Sequence, residues 1–242
     1  MLTIFKRTLF FSLFFMIAHA QDLKEVSSQE LVNIQALNLI KQANIEVNKA
    51  YDAQSLYLLD STIQGQKQSI YLTKDKKYII AGNAMDATTG SALTLPIDLS
   101  ITQNKEALTF GSGKDEYILF TDPECPYCKK FESFFPQLEK FVKIKVFFYP
   151  LSFHEKAKNL SLYILSQKTN EAKIDAMLNI DASSELFIKR NQKSLASYEA
   201  HLEEEMNIAR TLNISGTPTI FNKKGNKVSW VGLLKKYNIE VK

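Results

Sequence analysis

The chain holds two cysteines, Cys125 and Cys128, and their spacing is the feature most able to do chemistry. An apolar run at residues 117–120 precedes the pair and an amphipathic stretch follows it, which predicts a strand, a short loop and a helix entered at Cys125. At the N-terminus of a helix, the helix dipole and unpaired N–H groups favour the thiolate form of a cysteine, and such cysteines have pKa values of roughly 3.5–7.5. We therefore predict thiol–disulfide chemistry, with Cys125 as the exposed nucleophile and Cys128 as the more buried resolving thiol.

The residues around the cysteines have predicted roles as well. Pro126 and Tyr127 lie between the sulfurs and are expected to tune their redox balance, although Tyr127 also fits a plain surface aromatic. His154 could carry protons, but a histidine at the start of a helix is more often a surface residue. The pair has no nearby histidine or methionine to complete a metal site, so we expect no metal and no cofactor beyond the redox-active disulfide.

The first twenty residues have the pattern of an export signal. Residues 6–7 are basic, residues 9–17 are apolar, and residues 18–20 (Ala-His-Ala) form a cleavage site. An uncleaved membrane anchor is the alternative, but a spanning helix needs about 20 apolar residues. We predict a signal peptide at residues 1–20 and export to an oxidising compartment, where a cysteine pair can persist as a disulfide.

Composition limits the classes of function. The formal net charge is +4, and the lysines are scattered among acidic residues without a basic block, which argues against nucleic acid as a partner. A hydrophobic fraction of 45% is enough for packed cores. Two cysteines are too few for a disulfide framework in an exported chain of this length, so we expect the pair to be a functional device.

Two units and a linker are predicted after the signal. Residues 21–85 begin with a helix marked by a capping box, Ser27 with Glu30, and continue as a small antiparallel sheet. The sheet strands are expected at residues 56–63, 69–73 and 78–81. A unit of this size has a marginal core, so we predict that it dimerises. Residues 86–113 are rich in turn formers and are the predicted linker, with a short helix around 101–108.

Residues 114–242 follow a thioredoxin-type order of elements. A strand, the cysteine-pair helix and a second strand are followed by a helical insertion at about residues 152–212, and then by a β-hairpin and a final helix. Thr217 and Pro218 lie directly before the first hairpin strand, which is a placement that proline tolerates. The predicted fold class is therefore α+β or α/β, with a small helix-plus-sheet unit ahead of a thioredoxin-like unit.

Three blocks of sequence resemble the bacterial periplasmic disulfide interchange proteins of the DsbC/DsbG family. Residues 120–129 (FTDPECPYCK) resemble the active-site segment in its DsbG form, and residues 214–218 (ISGTP) resemble the cis-proline loop of the isomerases. The third block resembles the end of the N-terminal dimerisation domain, which thioredoxins and glutaredoxins lack. It comprises residues 70–73 and 78–82, then Asp86 and Gly90.

The resemblance implies a cystatin-like dimerisation domain joined by a linker to a thioredoxin-like catalytic domain. It implies a periplasmic homodimer that isomerises or reduces mispaired disulfides of exported proteins through Cys125 and Cys128, with a DsbD-like membrane reductant. A cis Thr217–Pro218 bond would hold the substrate chain beside the cysteines, an ordinary trans turn being the alternative. The chain departs from the family by lacking a second cysteine pair and by having Pro96 in the expected linker helix.

Other functions fit parts of the same pattern. A DsbA-like oxidase would donate its disulfide, and a glutaredoxin fits the Cys-Pro-Tyr-Cys sequence but neither the export signal nor the N-terminal unit. A dimeric holdase chaperone would bind unfolded chains without using the cysteines. A metal carrier would use Cys125 and Cys128 as a half-site. The direction of electron flow stays open between isomerase, reductase and oxidase.

Overall fold

The computed structural model describes residues 23–180, 183 and 192–241. The predicted signal peptide at residues 1–20 lies outside the described residues, as does a short part of the predicted helical insertion. The described chain contains two five-stranded sheets, which follow one another along the sequence. None of its helices within these residues is long and apolar enough to cross a membrane.

The first sheet is antiparallel, and its strands lie side by side in chain order. Its elements are β1 (Lys24–Glu25), α1 (Ser28–Gln35), α2 (Asn38–Gln42), β2 (Glu46–Ala53), β3 (Leu56–Ile63), β4 (Gln66–Thr73) and β5 (Ile79–Ala81). The two helices pack on one face, where Ile34, Leu59 and Ile70 share a buried core. Ser27 caps α1 as predicted, because its hydroxyl accepts a hydrogen bond from the Glu30 N–H at 3.2 Å.

Strand β2 was not predicted from the sequence, although it pairs with β1 and β3. A bulge between Val47 and Lys49 interrupts the alternation of faces, so the buried residues Val47 and Ala50 are three apart and have a helical spacing. The hairpin between β3 and β4 is more regular. Gln64 and Gly65 both have positive φ angles, of 52° and 78°, as a type I′ turn requires.

The predicted linker is hydrogen-bonded to both units. The Tyr71 hydroxyl on β4 donates a hydrogen bond to the Leu93 carbonyl oxygen at 2.7 Å. On the other side, the Ser91 hydroxyl lies 3.2 Å from the hydroxyl of Ser229, which precedes the last helix. Side chains of both units therefore form hydrogen bonds with residues 86–95.

The end of the predicted linker differs from the sequence-based expectation. Leu108–Phe110 form strand β6, which pairs with a strand of the second sheet, so the sheet begins within residues 86–113. The helix expected around 101–108 is limited to a single 3₁₀ turn at Ser100–Thr102. Three residues are too few to show an alternating pattern, which is why the edge strand was not predicted.

The second sheet has the order β10-β9-β7-β8-β6, with β7 and β8 parallel and the other pairs antiparallel. Its further elements are β7 (Asp115–Thr121), α3 (Pro126–Glu132), α4 (Phe135–Leu138), β8 (Val142–Phe148), α5 (Ala157–Leu165), α6 (Asn170–Asn179), α7 (Gln192–Thr211), β9 (Thr219–Asn222), β10 (Lys227–Val228) and α8 (Trp230–Lys236). Helices α5, α6 and α7 form the predicted insertion.

The central strand β7 positions the cysteine loop. Its residues Leu119 and Phe120 are fully buried and point into separate core clusters, as expected for a strand covered on both faces. The chain leaves β7 at Thr121 and soon enters α3, so the loop lies at the carboxyl end of the strand. The packed sheet therefore fixes the base of this loop.

Candidate active site

The two cysteines lie at the start of α3, where the sequence predicts them. Cys125 is the N-cap residue, and Pro126 occupies the first turn, where a missing N–H is tolerated. Asp122 fixes the preceding loop. Its carbonyl oxygen accepts a hydrogen bond from the Cys125 N–H at 3.0 Å, and its carboxylate accepts one from the Glu124 N–H at 2.8 Å.

The burial of Cys125 differs from the prediction. Only 4% of Cys125 is accessible to solvent, whereas the sequence predicts an exposed nucleophile. The segment before β9 covers it, and Cys125 Sγ lies 3.5 Å from the carbonyl oxygen of Thr217. Local patterns cannot show this cover, because Thr217 is 92 residues further along the chain. Cys128 is fully buried, as predicted.

The environment makes Cys125 an acidic thiol. Its pKa is lowered to about 5, first by the hydrogen bond from the Cys128 thiol and then by the backbone N–H of Cys128, the Thr217 side chain and the Tyr127 N–H, while burial opposes the shift. A free cysteine has a pKa of about 8.5. Cys125 is therefore a thiolate at neutral pH, within the range expected at a helix N-terminus.

The pKa of Cys128 is shifted in the opposite direction. Burial raises the pKa of its thiol strongly, and the hydrogen bond that this thiol donates to Cys125 raises it further. The negative charge of the pair is thus held on Cys125, and Cys128 stays protonated at neutral pH. The arrangement can attack a disulfide with one sulfur while it holds the second sulfur in reserve.

Thr217 and Pro218, which precede β9, lie beside the cysteine pair. The Thr217–Pro218 bond is cis, as predicted, and β9 begins at the next residue. The Thr217 hydroxyl is buried and has no other hydrogen-bond partner in the described part of the chain. It lowers the pKa of both thiols, so Thr217 belongs to the electrostatic environment of the pair.

The two residues between the sulfurs face outward. Tyr127 is 69% exposed, and Pro126 is exposed beside it. The backbone N–H of Tyr127 helps to stabilise the Cys125 thiolate, whereas its ring is exposed to solvent. The tuning role of Pro126 and Tyr127 stays a prediction.

His154 is closer to the site than its sequence context indicated. Its Nδ1 atom lies 2.8 Å from the carboxylate of Asp122, which is fully buried and also accepts the Leu151 N–H at 2.8 Å. Burial opposes protonation of His154, but the hydrogen bond and charge of Asp122, together with the Cys125 thiolate, outweigh it and raise the histidine pKa. Sequence reasoning missed Asp122, and its position three residues before Cys125 was the available signal.

A second group that sequence reasoning missed lies beneath the pair. Glu132, at the end of α3, is buried, and its Oε1 atom accepts a hydrogen bond from the Thr121 hydroxyl at 2.7 Å. Its Oε2 atom lies 3.2 Å from Lys129 Nζ. Burial raises the pKa of this carboxyl group. The spacing of Cys128 and Glu132, four residues apart on one helix, was the signal that could have found it.

The described residues were compared for side chains that could share a metal ion. Across residues 23–180, 183 and 192–241, no three or more histidine, cysteine, aspartate or glutamate side chains are grouped so that they could hold a metal ion. The absence of a cofactor other than the cysteine pair stays a prediction.

The sequence from residue 103 to residue 241 matches the model of the family described as "Thioredoxin-like domain", which is more than half of the chain. The chain belongs to this thioredoxin-like family. The matched region starts before β6 and ends after α8, so it includes the second sheet, all of its helices and both motifs described above.

This thioredoxin-like protein is also similar to named relatives. The probable thiol:disulfide interchange protein DsbC of Bordetella avium is 26% identical over 178 residues, which cover 66% of this chain and 57% of the relative. The chain thus matches little more than half the length of that relative. Its counterpart in Bordetella pertussis is 24% identical over 175 residues, with the same coverage.

Two solved structures are similar to this chain over more than half of its length. DsbA2 of Pseudomonas aeruginosa covers 60% of this chain and 96% of its own, with 18% identity and a TM-score of 0.43. DsbG of Helicobacter pylori covers 79% of this chain and 99% of its own, with 14% identity and a TM-score of 0.38.

Proposed function

We propose that this protein exchanges thiols and disulfides in exported proteins, most of all as a disulfide isomerase or reductase. One observation carries the proposal: the two thiols of the pair differ in acidity, with Cys125 lowered to a pKa of about 5 and Cys128 raised. A thiolate beside a protonated partner is what attack on a disulfide followed by resolution requires. The similarity to proteins named thiol:disulfide interchange proteins supports it.

The reaction begins at Cys125. Its thiolate attacks one sulfur of a substrate disulfide, a new bond forms between Cys125 and that sulfur, and the other substrate sulfur leaves as a thiolate. In isomerisation, a different substrate thiolate then attacks the mixed disulfide and releases Cys125. If no substrate thiol arrives, Cys128 attacks Cys125 Sγ instead, the substrate leaves reduced, and the protein is left oxidised.

Thr217, Pro218 and Tyr127 are the proposed substrate contacts. The Thr217 carbonyl oxygen lies 3.5 Å from Cys125 Sγ, so backbone that pairs with this segment would place a substrate sulfur near the nucleophile. Tyr127, between the two cysteines, offers an exposed aromatic ring. An extended polypeptide, rather than a small thiol, is the substrate that such a backbone contact suits.

Location and partners are part of the same proposal. The predicted export signal suits a protein of the periplasm, where substrates acquire disulfides. An isomerase must rest reduced in that compartment, so we infer a DsbD-like membrane thiol reductant that returns electrons to the Cys125–Cys128 disulfide.

A homodimer through the first sheet completes the proposal. The two edges of that sheet differ in character: β1 consists of Lys24 and Glu25, whereas β5 exposes Tyr78 and Ile80 at its side. Charged residues protect an edge from pairing, and an apolar edge favours it. We infer that β5 meets a second copy of this chain. A dimer would carry two sites in one molecule, which suits an isomerase or a holdase chaperone.

One observation favours a DsbA-like oxidase as the second candidate. A thiol with a pKa of about 5 is a good leaving group, and a stabilised thiolate makes the disulfide form more oxidising. The same acidity therefore suits donation of a disulfide to a reduced substrate. The oxidase and the isomerase differ in the resting state of the pair and in the need for Cys128.

Refolding of scrambled ribonuclease separates the two candidates. We expect the reduced protein to restore ribonuclease activity, the Cys125→Ala variant to restore none, and the Cys128→Ala variant to retain part of the effect, because isomerisation needs one nucleophile. An oxidase needs both sulfurs, since the disulfide is what it donates. The isomerase proposal fails if reduced protein gives no recovery while the oxidised protein oxidises reduced ribonuclease.

A further inference from the structure

A turn at residues 151–156, here called the aromatic turn, carries an exposed phenylalanine that the steps above do not use. Ser152 and Phe153 are its central residues, and the His154 N–H closes it with a hydrogen bond to the Leu151 carbonyl oxygen at 2.9 Å. Phe153 is 73% exposed, and its ring lies against the His154 imidazole, with ring centroids 4.5 Å apart. Most of Phe153 is therefore open to solvent.

Two acidic residues of the cysteine loop anchor the aromatic turn at both of its ends. The Asp122 carboxylate is fully buried, accepts the Leu151 N–H at 2.8 Å and lies 2.8 Å from His154 Nδ1. The Glu124 carboxylate accepts the Lys156 N–H at 2.7 Å. Because a buried carboxylate is stable only when it is hydrogen-bonded, Asp122 strongly favours this one position of the turn.

The order of the strands places the aromatic turn and the Thr217–Pro218 segment on opposite sides of the cysteine loop. In the sheet, β7 lies between β9 and β8. Strands β7 and β8 are parallel, so the cysteine loop and the aromatic turn both follow the carboxyl ends of their strands, at one end of the sheet. Strand β9 is antiparallel to β7 and begins at that same end. The topology therefore brings Cys125 between Thr217 and Phe153.

Asp122 also joins the aromatic turn to the nucleophile. Its carbonyl oxygen accepts the Cys125 N–H at 3.0 Å, and its carboxylate contacts His154, whose ring lies against Phe153. Neighbouring strands are about 4.8 Å apart, and an extended chain advances about 3.3 Å per residue. A substrate whose cysteine region pairs with Thr217 would therefore reach the aromatic turn about two or three residues further along.

We propose that Phe153 is a specificity-determining residue, which binds an apolar side chain about two or three residues from the substrate cysteine. The inference rests on the proposed function. An aromatic partner suits the ring best, because paired rings attract each other beyond the burial of their surface. The anchored turn presents the ring in one place, so little freedom is lost on binding. Phe153 touches the substrate away from the reacting sulfurs, so it selects among substrates and leaves the exchange chemistry to Cys125.

Peptides that carry a coloured leaving group test this selectivity. Each peptide has one cysteine, bonded as a disulfide to thionitrobenzoate, and one phenylalanine moved through the three positions on either side, with alanine there in a reference peptide. Cys125 forms a bond with the peptide sulfur, the bond between that sulfur and thionitrobenzoate breaks, and the released thiolate is followed by its absorbance. The ratio of the rate constants for the phenylalanine and alanine peptides cancels any change in the Cys125 thiolate itself.

We expect the wild-type protein to react about three- to tenfold faster with the phenylalanine peptide at the favoured position, which is the gain from one aromatic pair. Phe153→Ala should bring the ratio close to one. Phe153→Leu should retain part of the preference, because leucine is apolar but cannot form an aromatic pair.

Phe141 provides the matched control. It is another exposed phenylalanine, at 47%, and its ring also contacts a second ring, that of Tyr237 at 5.0 Å. Its carbonyl oxygen accepts the Asp115 N–H at 3.3 Å, so it lies at the start of β7, the end of the strand away from the cysteine loop. Phe141→Ala should therefore keep the wild-type ratio.

Three results would overturn this role of Phe153. They are a wild-type protein without preference for any phenylalanine peptide, the wild-type ratio in Phe153→Ala, and an equal loss of preference in Phe153→Ala and Phe141→Ala. Each of them leaves the exchange reaction itself in place. A wild-type protein that releases no thionitrobenzoate from any peptide contradicts the proposed function, and the role of Phe153 with it.

Discussion

The pKa values of the two thiols differ because the cysteines occupy different positions at the start of α3. Cys125 at the N-cap receives hydrogen bonds from the Cys128 thiol and from backbone N–H groups, whereas Cys128 is fully buried. The hydrogen bond from the Cys128 thiol that stabilises the Cys125 thiolate also makes Cys128 harder to ionise. The asymmetry is therefore a property of the pair, and it persists only while both sulfurs are present and reduced.

His154 should support the acidity of Cys125. Asp122 holds the imidazole near the thiolate and favours its protonated form, so a His154→Gln variant loses a positive charge beside Cys125. We expect its alkylation by iodoacetamide at pH 5 to be about two- to fivefold slower, because the Cys125 pKa rises when a neighbouring cation is removed. The measurement is the alkylation rate of Cys125 against pH.

A matched control for this prediction lies on α7. His201 also has a pKa raised by a carboxylate, that of Glu205, but the Cys125 thiolate is not among the groups that raise it. His201→Gln should leave the alkylation profile of Cys125 unchanged. An unchanged profile in His154→Gln would show that the histidine only fixes the loop.

Sequence could predict the local part of the site but not the parts that other segments supply. The N-cap position of Cys125 follows from the strand, loop and helix around it, which are set by nearby residues. Its burial under Thr217 and the contact between His154 and Asp122 join segments far apart in the chain. Such contacts depend on packing of the whole sheet and leave no periodic pattern.

At the scale of elements, a buried glutamate lies where α7 packs on β8. Glu205 is fully buried, its Oε2 atom accepts the Phe148 N–H at 3.2 Å, and its Oε1 atom lies 3.7 Å from His201 Nε2. Burial raises the pKa of Glu205 to about 7, although His201 opposes the shift. Because the folded state binds this proton more tightly than the unfolded state, stability should fall as the pH rises through this range.

We expect the free energy of unfolding to fall by about 3 kcal/mol between pH 4.5 and pH 7 because of Glu205. His201 acts in the same direction, since its raised pKa makes its contribution present at low pH and lost as the pH rises. The Cys125 thiolate acts in the opposite direction, so the measurement is urea unfolding of the oxidised protein. Glu205→Gln should flatten the decline, and an equal decline in both proteins would contradict it.

The elements themselves were predictable where their pattern is long and regular. Strands β3, β4 and β7 and the helices of the insertion are of this kind. Strands β2 and β6 were not, because a bulge disturbs the first and the second has only three residues. Both gain their backbone hydrogen bonds from neighbouring strands, which is information outside their own sequence.

At the scale of the whole molecule, the apolar β5 edge determines the proposed dimer. Ile80 is 43% exposed on that edge and would lie in the interface between two copies. An Ile80→Lys variant should weaken dimerisation by about 30-fold, since an unpaired charge in an interface costs about 2 kcal/mol. Sedimentation velocity across a concentration series measures the change.

Val32 offers a control for the same substitution. It is another exposed apolar residue of the first unit, but it lies on α1, away from the β5 edge. Val32→Lys should leave the dimer intact. A monomer in the wild-type protein, or equal weakening by both variants, would remove β5 as the interface.

The linker forms hydrogen bonds with both units. The long linker helix that the family resemblance implies does not form, and Pro96 accounts for its absence. Residues 86–95 instead run between Tyr71 and Ser229 and contact both. The path of an irregular segment depends on the surfaces it joins, so sequence could predict its lack of helix but not its contacts.

Trapping a mixed disulfide tests the role of the cysteine pair most directly. Cys128→Ser retains a hydroxyl donor for Cys125 but cannot resolve an adduct, whereas Cys125→Ser lacks the nucleophile. Each variant is mixed with a peptide that contains one disulfide, and the adduct is located by mass spectrometry at pH 6. We expect rapid accumulation at Cys125 in Cys128→Ser and none in Cys125→Ser. Adducts at Cys128, or no adduct in Cys128→Ser, would contradict thiol–disulfide exchange through Cys125.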